Sequence, residues 1–323
     1  MNPNKYNLNL AQKGTPHLFL AANFLKPELK FHAFLAAYAA MRIIDDLVDD
    51  WKTSGYFGSG QSDNVLREIK KYSRMFGNKE FDGSSHQGKE LHELMEKCKI
   101  PQWPFVELAR SMEFDVYHNR FESMDQFLNY AEGAAVAPGA VFMHLAGCRY
   151  IEKDNDLIAP SFDIKQAARP LALFSYLVHI IRDFKKDFTF GKEPLIYIDR
   201  ETARKFNLGK NDYSEIISSN IQNDNFTEMI EWYIEKISEY RDEAEKKLNE
   251  ISNELPDDGR FSLNFILDLY FAIVKKIHSG KFQILNDDLN LQPGEIIETA
   301  RHTSERLKIS TAPILEKLTD LLK

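Results

Sequence analysis

The chain has 323 residues, of which 43% are hydrophobic and 12% aromatic, and its formal net charge is −8. The hydrophobic content can form a substantial core and excludes a wholly disordered chain, while the negative charge disfavours nucleic acid as a partner, because phosphate backbones are bound by clustered Lys and Arg. Two cysteines are too few for a disulfide framework and no apolar run could span a bilayer or serve as a signal peptide, so we expect a cytoplasmic protein that an apolar ligand could bring to the surface of the inner membrane.

Periodic apolar residues predict helices along most of the chain, separated by stretches rich in Gly, Ser and Asn. The first begins at Pro27, a favourable residue for a first helical turn, and runs to residue 52; loops are predicted at 53–64 and 77–88. Only "LIYID" at 195–199 resembles a strand. Further helices are predicted at about 89–120, 124–150, 163–190, 224–254, 261–280 and 294–321. The prediction is therefore an all-α fold, formed by a single domain over residues 1–323.

Two charge-rich segments have structural explanations. Residues 224–254 predict one wall of a helical bundle rather than a coiled coil, because apolar residues recur at helical spacing. These residues are Ile230, Ile234, Ile237, Ala244, Leu248 and Ile251. The segment "HELMEKC", residues 92–98, contains His, Glu and Cys side chains that could hold zinc. The solvated face of an amphipathic helix explains the same residues, and we favour that interpretation.

The segment "MRIIDDLVDD", residues 41–50, places several aspartates among aliphatic residues. On a helix Asp45 and Asp49 project from one face, one turn apart, with Asp46 at the edge of that face. Like charges at this spacing repel by a few tenths of a kcal/mol, and a divalent cation turns the repulsion into attraction. Magnesium suits carboxylate and water oxygens. The segment is therefore either a solvated edge or a cation site.

The segment "LVHIIRDFKKDF", residues 177–188, repeats the pattern with Asp183 and Asp187. Two helices with this spacing could face each other across a bundle core and hold a metal cluster, and the repetition favours a functional site. Magnesium held on two walls of an apolar cavity can neutralise a diphosphate and make it a better leaving group. If the diphosphate is allylic, its departure leaves a carbocation, which aromatic and aliphatic side chains can stabilise and shield from water.

Both segments resemble the aspartate-rich motifs of the squalene/phytoene synthase family. "YAAMRIIDDLVDD" (38–50) resembles the first motif and "IIRDFKKD" (180–187) the second. Between and after them, three further stretches resemble the family pattern in the same order. They are "MEFDVYHNRFESMDQFLNYAEGAAVAPGAVFM" (112–143), "EPLIYIDRETARKFNL" (193–208) and "YFAIVKKIHSGKFQIL" (270–285). The resemblance implies an isoprenoid synthase-type helical bundle around a central apolar cavity.

The resemblance also implies roles for individual residues. Metal ligands would be Asp45, Asp49, Asp183 and Asp187, which would hold two or three Mg²⁺ ions that bridge substrate diphosphate. Substrate-binding residues would be Arg42, Asp46, Arg182, His179 and His17. Catalytic residues would be Tyr38, Arg42, Tyr130, Arg182 and Tyr270, with the tyrosines stabilising cationic intermediates. Structural salt bridges are the alternative for the arginines, core packing is the alternative for the tyrosines, and Gly139 matches a glycine where helices approach closely.

Some positions depart from the family pattern. Tyr176 and His179 stand where the family commonly has Gln and Asn, and magnesium uses a histidine nitrogen poorly as a ligand. A protonated His179 could meet a diphosphate oxygen directly, or the histidine could be buried and hydrogen-bonded. The N-terminal serines that usually contact a diphosphate are replaced within "TPHLF" (15–19), where His17 could substitute, and a family glycine is Val136. The departures suggest an altered substrate or rate and leave room for lost activity.

The resemblance implies a prenyltransferase that condenses two molecules of farnesyl or geranylgeranyl diphosphate head to head. A cyclopropylcarbinyl diphosphate intermediate would rearrange to a linear hydrocarbon of the squalene, dehydrosqualene or phytoene type. NADPH would be needed only if the product is squalene. Two alternatives remain: a terpene cyclase that acts on one diphosphate, and a non-catalytic family member that serves as an assembly or scaffolding factor. Such scaffolding relatives typically lose the aspartates, which this chain retains.

Overall fold

The computed structural model describes residues 16–53, 62–78, 80, 86–153, 156–189, 196–285 and 289–323. In this part of the chain the only sheet is a two-stranded hairpin, so the predicted all-α fold is confirmed. The first half consists of α1 Pro16–Ala22, α2 Glu28–Thr53, α3 Asp63–Gly77, α4 His86–Lys97, α5 Trp103–Tyr117, α6 Met124–Ala131, a π-helical segment Glu132–Val136 and α7 Ala137–Gly147. Most of the two predicted loops, at 53–64 and 77–88, lies outside the described residues.

The hairpin and the longer helices form the second half of the chain. Its strands pair in antiparallel register, with Tyr150 opposite Leu157. The elements are β1 Arg149–Ile151, β2 Asp156–Ile158, α8 Ile164–Thr189, α9 Arg200–Lys205, α10 Lys210–Ser219, α11 Asp224–Ile251, a 3₁₀ turn Ser252–Glu254, α12 Asp257–Ser279, α13 Pro293–Arg306 and α14 Thr311–Leu321. The strand predicted at 195–199 was wrong for the described residues 196–199, where one isolated bridge joins Ile196 to Arg120.

Two predicted helices are each divided by a turn. The predicted 89–120 helix is split into α4 and α5 at Lys99, and the predicted 294–321 helix into α13 and α14 at Lys308. Both lysines have a positive φ, 54° and 56° respectively, which a right-handed helix does not accommodate. The charge-rich helix α11 forms a bundle wall as predicted, and all six apolar residues predicted to face the bundle are buried.

Helix α7 lies at the centre of the packing and contacts α2, α5, α8 and α12. Small residues allow these close approaches. A Cβ atom added at Gly139 would lie 2.9 Å from the Cβ of Ala172 on α8, which confirms the predicted close approach of helices at this glycine. A Cβ atom at Gly259 on α12 would lie 1.9 Å from the carbonyl oxygen of Ala146. The helices that carry the two acidic segments, α2 and α8, therefore both pack directly on α7.

One cluster of buried apolar side chains extends from Phe19 to Leu318 and so joins residues from both ends of the described chain. A single domain over residues 1–323 stays a prediction, and this shared core agrees with it. No helix among the described residues is long and apolar enough to cross a membrane.

Candidate active site

The first acidic segment lies in the second half of α2. Carboxylate oxygens of Asp45, Asp46 and Asp49 all lie within 4.8 Å of one another. The guanidinium of Arg42, one turn earlier on the same helix, forms ion pairs with both Asp45 and Asp46. The predicted i, i+4 spacing therefore produces a cluster of three carboxylates, and the Arg42 guanidinium lies at one side of the cluster.

Burial and mutual repulsion disfavour the charged forms of these acids. Burial, the largest cause, and the nearby Asp45 carboxylate together raise the pKa of Asp49 to about 7 against the effect of Arg42. Burial also raises the pKa of Asp45, although Arg42 opposes this. A divalent cation would offset the repulsion between these acids, because it favours their ionised forms.

The second acidic segment lies in the second half of α8 and contains a network of three side chains. Arg182 Nε donates to Asp183 Oδ1 at 2.6 Å, and Arg182 Nη2 donates to Asp183 Oδ2 at 3.0 Å. The same Nη2 lies 2.9 Å from His179 Nδ1. Since an arginine can only donate, Nδ1 accepts and the proton of neutral His179 is on Nε2, which lies 3.1 Å from Asp183 Oδ2. His179 is therefore hydrogen-bonded, as the second of its two interpretations expected, but its side chain is 36% exposed rather than fully buried.

The pKa values of the two aspartates of this segment are shifted in opposite directions. Burial, the largest single cause, would raise the pKa of Asp183, but the hydrogen bonds from Arg182 together with the nearby charges of His179, Arg182 and Lys186 outweigh it, and the pKa is lowered. Burial, the largest cause, and the neighbouring Asp183 together raise the pKa of Asp187 to about 7. Within the described part of the chain no hydrogen bond to Asp187 is found. Asp187 is therefore the carboxylate of α8 that is available to a cation, while both oxygens of Asp183 are already occupied.

Two tyrosines connect the acidic segments. Burial raises the pKa of Tyr197 well above its ordinary value, and Tyr176, Asp115, Asp187 and Asp49 raise it further. The pKa of Tyr176 is raised by burial and then by Asp115, Asp45 and Asp187, against a hydrogen bond with Tyr130. Carboxylates from α2 and from α8 thus both raise the pKa values of the same two tyrosine hydroxyl groups. Both segments therefore lie near Tyr176 and Tyr197.

Aromatic rings pack against these two tyrosines. The ring of Tyr176 stacks on Phe127 with centroids 5.8 Å apart, and it meets the ring of Tyr197 edge-on at 6.4 Å. Phe121 lies 5.1 Å from Tyr130 and 6.4 Å from Tyr197. We call Phe121, Phe127, Tyr130, Tyr176 and Tyr197 the aromatic wall. Tyr176 and Tyr197 were not predicted as site residues; Tyr176 stood out only as a departure from the family pattern.

Several site residues are partly accessible although burial dominates their pKa shifts. The side chain of Asp45 is 32% exposed and that of His179 is 36% exposed, yet burial is the first cause of the shift in both. Tyr176 and Tyr197 are half-buried in the same way. Water can reach such groups while protein surrounds them, which is the situation on the wall of a recess rather than on the outer surface.

A buried ion pair supports the aromatic wall from behind. Lys52 Nζ donates to Asp115 Oδ1 at 2.6 Å, and the hydroxyl of Tyr130 donates to Asp115 Oδ2 at 2.7 Å. Both ionic side chains are about nine-tenths buried, with 9% and 12% exposed. Asp115 and Lys52 were not predicted as site residues. Asp115 belongs to the family-like stretch 112–143, whose acid was a possible indication of a role. Nothing in the spacing of the sequence connects it to Lys52.

The remaining predicted residues lie around Arg182. The ring of His17 meets that of Tyr270 edge-on, with centroids 5.3 Å apart. Burial, the largest cause, together with Arg182 and His179 lowers the pKa of His17 to about 4. The pKa of Tyr270 is raised by burial, lowered by Arg182 and raised by Asp183 and Tyr38, so Tyr38 lies near this group too. Tyr38 itself stacks on Phe34 at 5.8 Å.

The residues fit magnesium in part. The cluster on α2 and Asp187 on α8 offer the hard oxygen donors that magnesium prefers. Asp183 and His179 fit less well, because Arg182 occupies the Asp183 oxygens and position 179 carries nitrogen. At 92–98 the structure favours the amphipathic helix, since Leu91, Leu94, Met95 and Cys98 are buried. In the described residues, the carboxylates of α2 are the group of three side chains close enough to hold a metal ion.

Comparison with known proteins agrees with this fold. The family described as squalene/phytoene synthase matches residues 11–295. A phytoene synthase of Solanum lycopersicum, phytoene synthase 2, chloroplastic, is 22% identical over 265 residues, which cover 82% of this chain and 77% of that protein. The crystal structure of a dehydrosqualene synthase has a TM-score of 0.73 at 17% identity, over 95% of this chain and 96% of that one. A squalene synthase from Alicyclobacillus acidocaldarius has a TM-score of 0.65 at 16% identity, over 87% and 95% of the two chains.

Proposed function

Because the chain belongs to the squalene/phytoene synthase family, whose members are prenyltransferases that join isoprenoids head to head, it is a transferase, and we propose that it couples two allylic prenyl diphosphates in the recess between α2 and α8. The substrates are two molecules of farnesyl or geranylgeranyl diphosphate. The product is a hydrocarbon of the squalene, dehydrosqualene or phytoene type. One observation carries the proposal: the carboxylates of Asp45, Asp46 and Asp49 cluster within 4.8 Å on α2, and α2 and the second acidic helix α8 both pack on α7.

The acids and arginines hold the leaving group. Asp45, Asp49 and Asp187 would hold two or three magnesium ions, with Asp46 at the edge of the cluster and Asp183 fixed by Arg182. Magnesium, when bound, supplies the positive charge that makes diphosphate a better leaving group. Arg42 and Arg182 add positive charge beside the acids and can donate to diphosphate oxygens. When the bond between C1 and oxygen breaks, its electron pair leaves with the diphosphate and C1 becomes an allylic cation.

The aromatic wall acts on that cation. The π faces of Tyr176 and Tyr197 can stabilise positive charge, and a recess lined by aromatic rings keeps water from reacting with it. The double bond of the second substrate attacks the cation, and loss of a proton closes a cyclopropane ring. Ionisation of that cyclopropylcarbinyl diphosphate and rearrangement give the linear hydrocarbon. Proton loss ends the reaction for phytoene-type products, whereas a squalene-type product needs hydride from NADPH.

The test is magnesium-dependent diphosphate release from farnesyl and geranylgeranyl diphosphate, with the hydrocarbon identified by mass, with and without NADPH. A product of twice the substrate length is expected. Asp49→Asn and Asp187→Asn should each lower the rate of release by about a hundredfold or more, because each removes charge from the leaving-group site. The matched control is Asp50→Asn, an exposed acid beside the cluster, which should keep the wild-type rate.

Each alternative has its own result in the same assay. A hydrocarbon with the carbon number of one substrate would make the protein a terpene cyclase. Absence of diphosphate release from either substrate, in protein that is folded and supplied with magnesium, would favour a non-catalytic assembly factor. Equal rates in Asp49→Asn and wild type would show that the cluster on α2 does not hold the leaving group.

A further inference from the structure

Asp115 on α5 is a further carboxylate beside the acidic cluster of α2, which consists of Asp45, Asp46 and Asp49. Burial is the main cause of the raised pKa values of Asp45 and Asp49, and the Asp115 carboxylate adds to both. Asp115 therefore lies close enough to act on the cluster, and it is itself only 8% exposed. A carboxylate in this position would suit a magnesium ion as an additional oxygen ligand.

Both oxygens of Asp115 are instead occupied by the protein. Lys52 Nζ donates to Oδ1 at 2.6 Å, and the Tyr130 hydroxyl donates to Oδ2 at 2.7 Å. The backbone of Tyr130 is held in turn, because its carbonyl oxygen accepts from Ser111 Oγ at 2.7 Å. A divalent ion could therefore reach Asp115 only by displacing one of these donors or by approaching the ammonium group of Lys52.

Lys52 cannot easily turn away from this position. It lies in the last turn of α2, three residues after Asp49, and so projects from nearly the same face of the helix. Only 9% of its side chain is exposed. Next to it, the indole Nε1 of Trp51 lies 3.5 Å from the carbonyl oxygen of Val116 on α5. The end of α2 is therefore fixed to α5, with the ammonium group of Lys52 directed at Asp115.

The charge of Lys52 also acts on the cluster itself. Its positive charge opposes the effect of burial on the pKa values of Asp45 and Asp49. The cluster and Asp115 carry four negative charges when they are ionised, and Arg42 and Lys52 supply two positive charges beside them. A metal ion on the cluster would be repelled by Lys52, because a unit charge and a divalent ion interact strongly at this range where protein displaces water.

We propose that Lys52 is a positioning residue that keeps Asp115 from coordinating the metal ions of the acidic cluster, and so lowers the affinity of the cluster for divalent cations. The inference rests on the proposed function in one respect, the assignment of magnesium to this cluster. Lys52 acts through Asp115 and need not contact the metal or the substrate. A cluster that holds its cation weakly by itself takes up the cation together with diphosphate, whose oxygens supply further ligands.

The test is titration of the substrate-free protein with Mn²⁺, which uses oxygen ligands as magnesium does and whose free concentration is measured by electron paramagnetic resonance. Lys52→Met should bind Mn²⁺ about fivefold more tightly than wild type or better, because it removes the repelling charge and releases Asp115. Lys52→Arg keeps the charge and should bind like wild type. A purely structural role predicts the opposite sign for Lys52→Met, since a loosened site would bind the ion more weakly.

Three further variants serve as controls. Lys236→Met makes the same substitution in an exposed pair on α11 and should bind Mn²⁺ like wild type, although its net charge equals that of Lys52→Met. The double variant Lys52→Met/Asp115→Asn should return to the wild-type affinity, because the ammonium and the carboxylate are removed together. Asp49→Asn should weaken binding, which assigns the signal to the cluster.

A second substitution keeps the test independent of folding. Lys52→Gln removes the charge but keeps a hydrogen-bond donor beside the buried Asp115, and it should also bind Mn²⁺ more tightly than wild type. Circular dichroism and thermal unfolding establish which variants are folded. The proposal is overturned if the folded variants Lys52→Met and Lys52→Gln bind no more tightly than wild type, or if Lys52→Arg or Lys236→Met gains as much affinity as they do. It is also overturned if Asp49→Asn binds like wild type or if none of the proteins binds Mn²⁺.

Parallel measurement of diphosphate release separates this inference from the proposed function. Magnesium-dependent release by wild type, with the same Mn²⁺ affinity in wild type and Lys52→Met, would remove the inference and leave the proposed function. A higher Mn²⁺ affinity in Lys52→Met, with no diphosphate release by wild type, would do the reverse.

Discussion

Lys52 and Asp115 form a buried ion pair that fixes part of the candidate site in position. Asp115 accepts from Lys52 at 2.6 Å and from Tyr130 at 2.7 Å, so one carboxylate fixes a helix α2 side chain and one ring of the aromatic wall. The pair lies behind the acidic cluster, and the positive charge of Lys52 offsets part of the repulsion that raises the pKa of Asp49. A cation placed here thus serves both the packing and the electrostatics of the recess.

We predict that Lys52→Met lowers the free energy of unfolding by about 3 kcal/mol, because it leaves the buried Asp115 carboxylate without its cation. Urea unfolding of the metal-free protein measures this. The control is Lys236→Met, which removes an exposed Lys–Glu pair with Glu239 on α11 and should leave the free energy of unfolding nearly unchanged, because solvent screens the pair. Equal effects of the two substitutions would contradict the importance of burial.

At the scale of elements, glycines allow the central helix α7 to contact its neighbours. The Gly259 contact is the tightest of those at the described glycines, since an added Cβ would lie 1.9 Å from the Ala146 carbonyl oxygen and 2.7 Å from its carbonyl carbon. Both atoms are backbone, so no side chain can rotate to make room. The distance between α7 and α12 is therefore set by the absence of a side chain at position 259.

We predict that Gly259→Ala lowers the free energy of unfolding by about 2 kcal/mol or more, because α12 must move away from α7 and loosen a packed interface. Thermal and urea unfolding measure the change. Gly294→Ala, in the first turn of α13, is the matched control: nothing lies within 4 Å of the added Cβ, and the substitution should be neutral or slightly stabilising. A Gly259→Ala protein as stable as the control would mean that the helices separate at no cost.

The positions of the helices followed from local patterns, with instructive exceptions. Helix α3 was not predicted, although Val65, Ile69, Tyr72 and Phe76 are buried at helical spacing. The hairpin of β1 and β2 was missed because three residues per strand are too few to show alternation. The turns at Lys99 and Lys308 were missed because a lysine with positive φ carries no signal in its sequence, unlike a glycine.

At the scale of the whole molecule, the two acidic segments make stability depend on pH. In the unfolded chain Asp49 and Asp187 ionise near their ordinary pKa of 3.8, whereas in the folded protein they ionise near 7. Between these values the folded state binds more protons than the unfolded state, so rising pH lowers the free energy of unfolding until about pH 7. His17 and His179, with pKa values lowered to about 4, act in the opposite direction between pH 4 and 6.5.

We predict that metal-free Asp49→Asn gains stability relative to wild type as pH rises from 5 to 8, because the amide cannot ionise and the histidine contributions are common to both proteins. The relative gain should be about 1–2 kcal/mol once solvent access is discounted, measured by urea unfolding at each pH. Asp50→Asn should show a constant difference from wild type across this range. A constant difference for Asp49→Asn as well would show that Asp49 ionises normally in the folded protein.

Addition of magnesium tests the same carboxylates, because a bound cation favours their ionised forms whereas burial favours their protonated forms. A cation on the cluster favours ionised carboxylates, so it competes with protons. We predict that magnesium raises the melting temperature of the wild type more at pH 8 than at pH 6, and raises that of Asp49→Asn less than that of the wild type at either pH. A shift independent of pH in both proteins would indicate binding elsewhere.

The sequence by itself determined the helical fold, the i, i+4 spacing of the acids on α2 and α8, and the family, because these properties depend on residues within a few turns of one another or on their order along the chain. Only the tertiary structure decided that Tyr176 and Tyr197 connect the two segments and that Lys52 and Asp115 support Tyr130. These contacts join residues far apart in sequence, and they depend on how closely α7 lets its neighbours approach. Packing distances of this kind follow from the shapes of all the facing side chains together, which no local pattern contains.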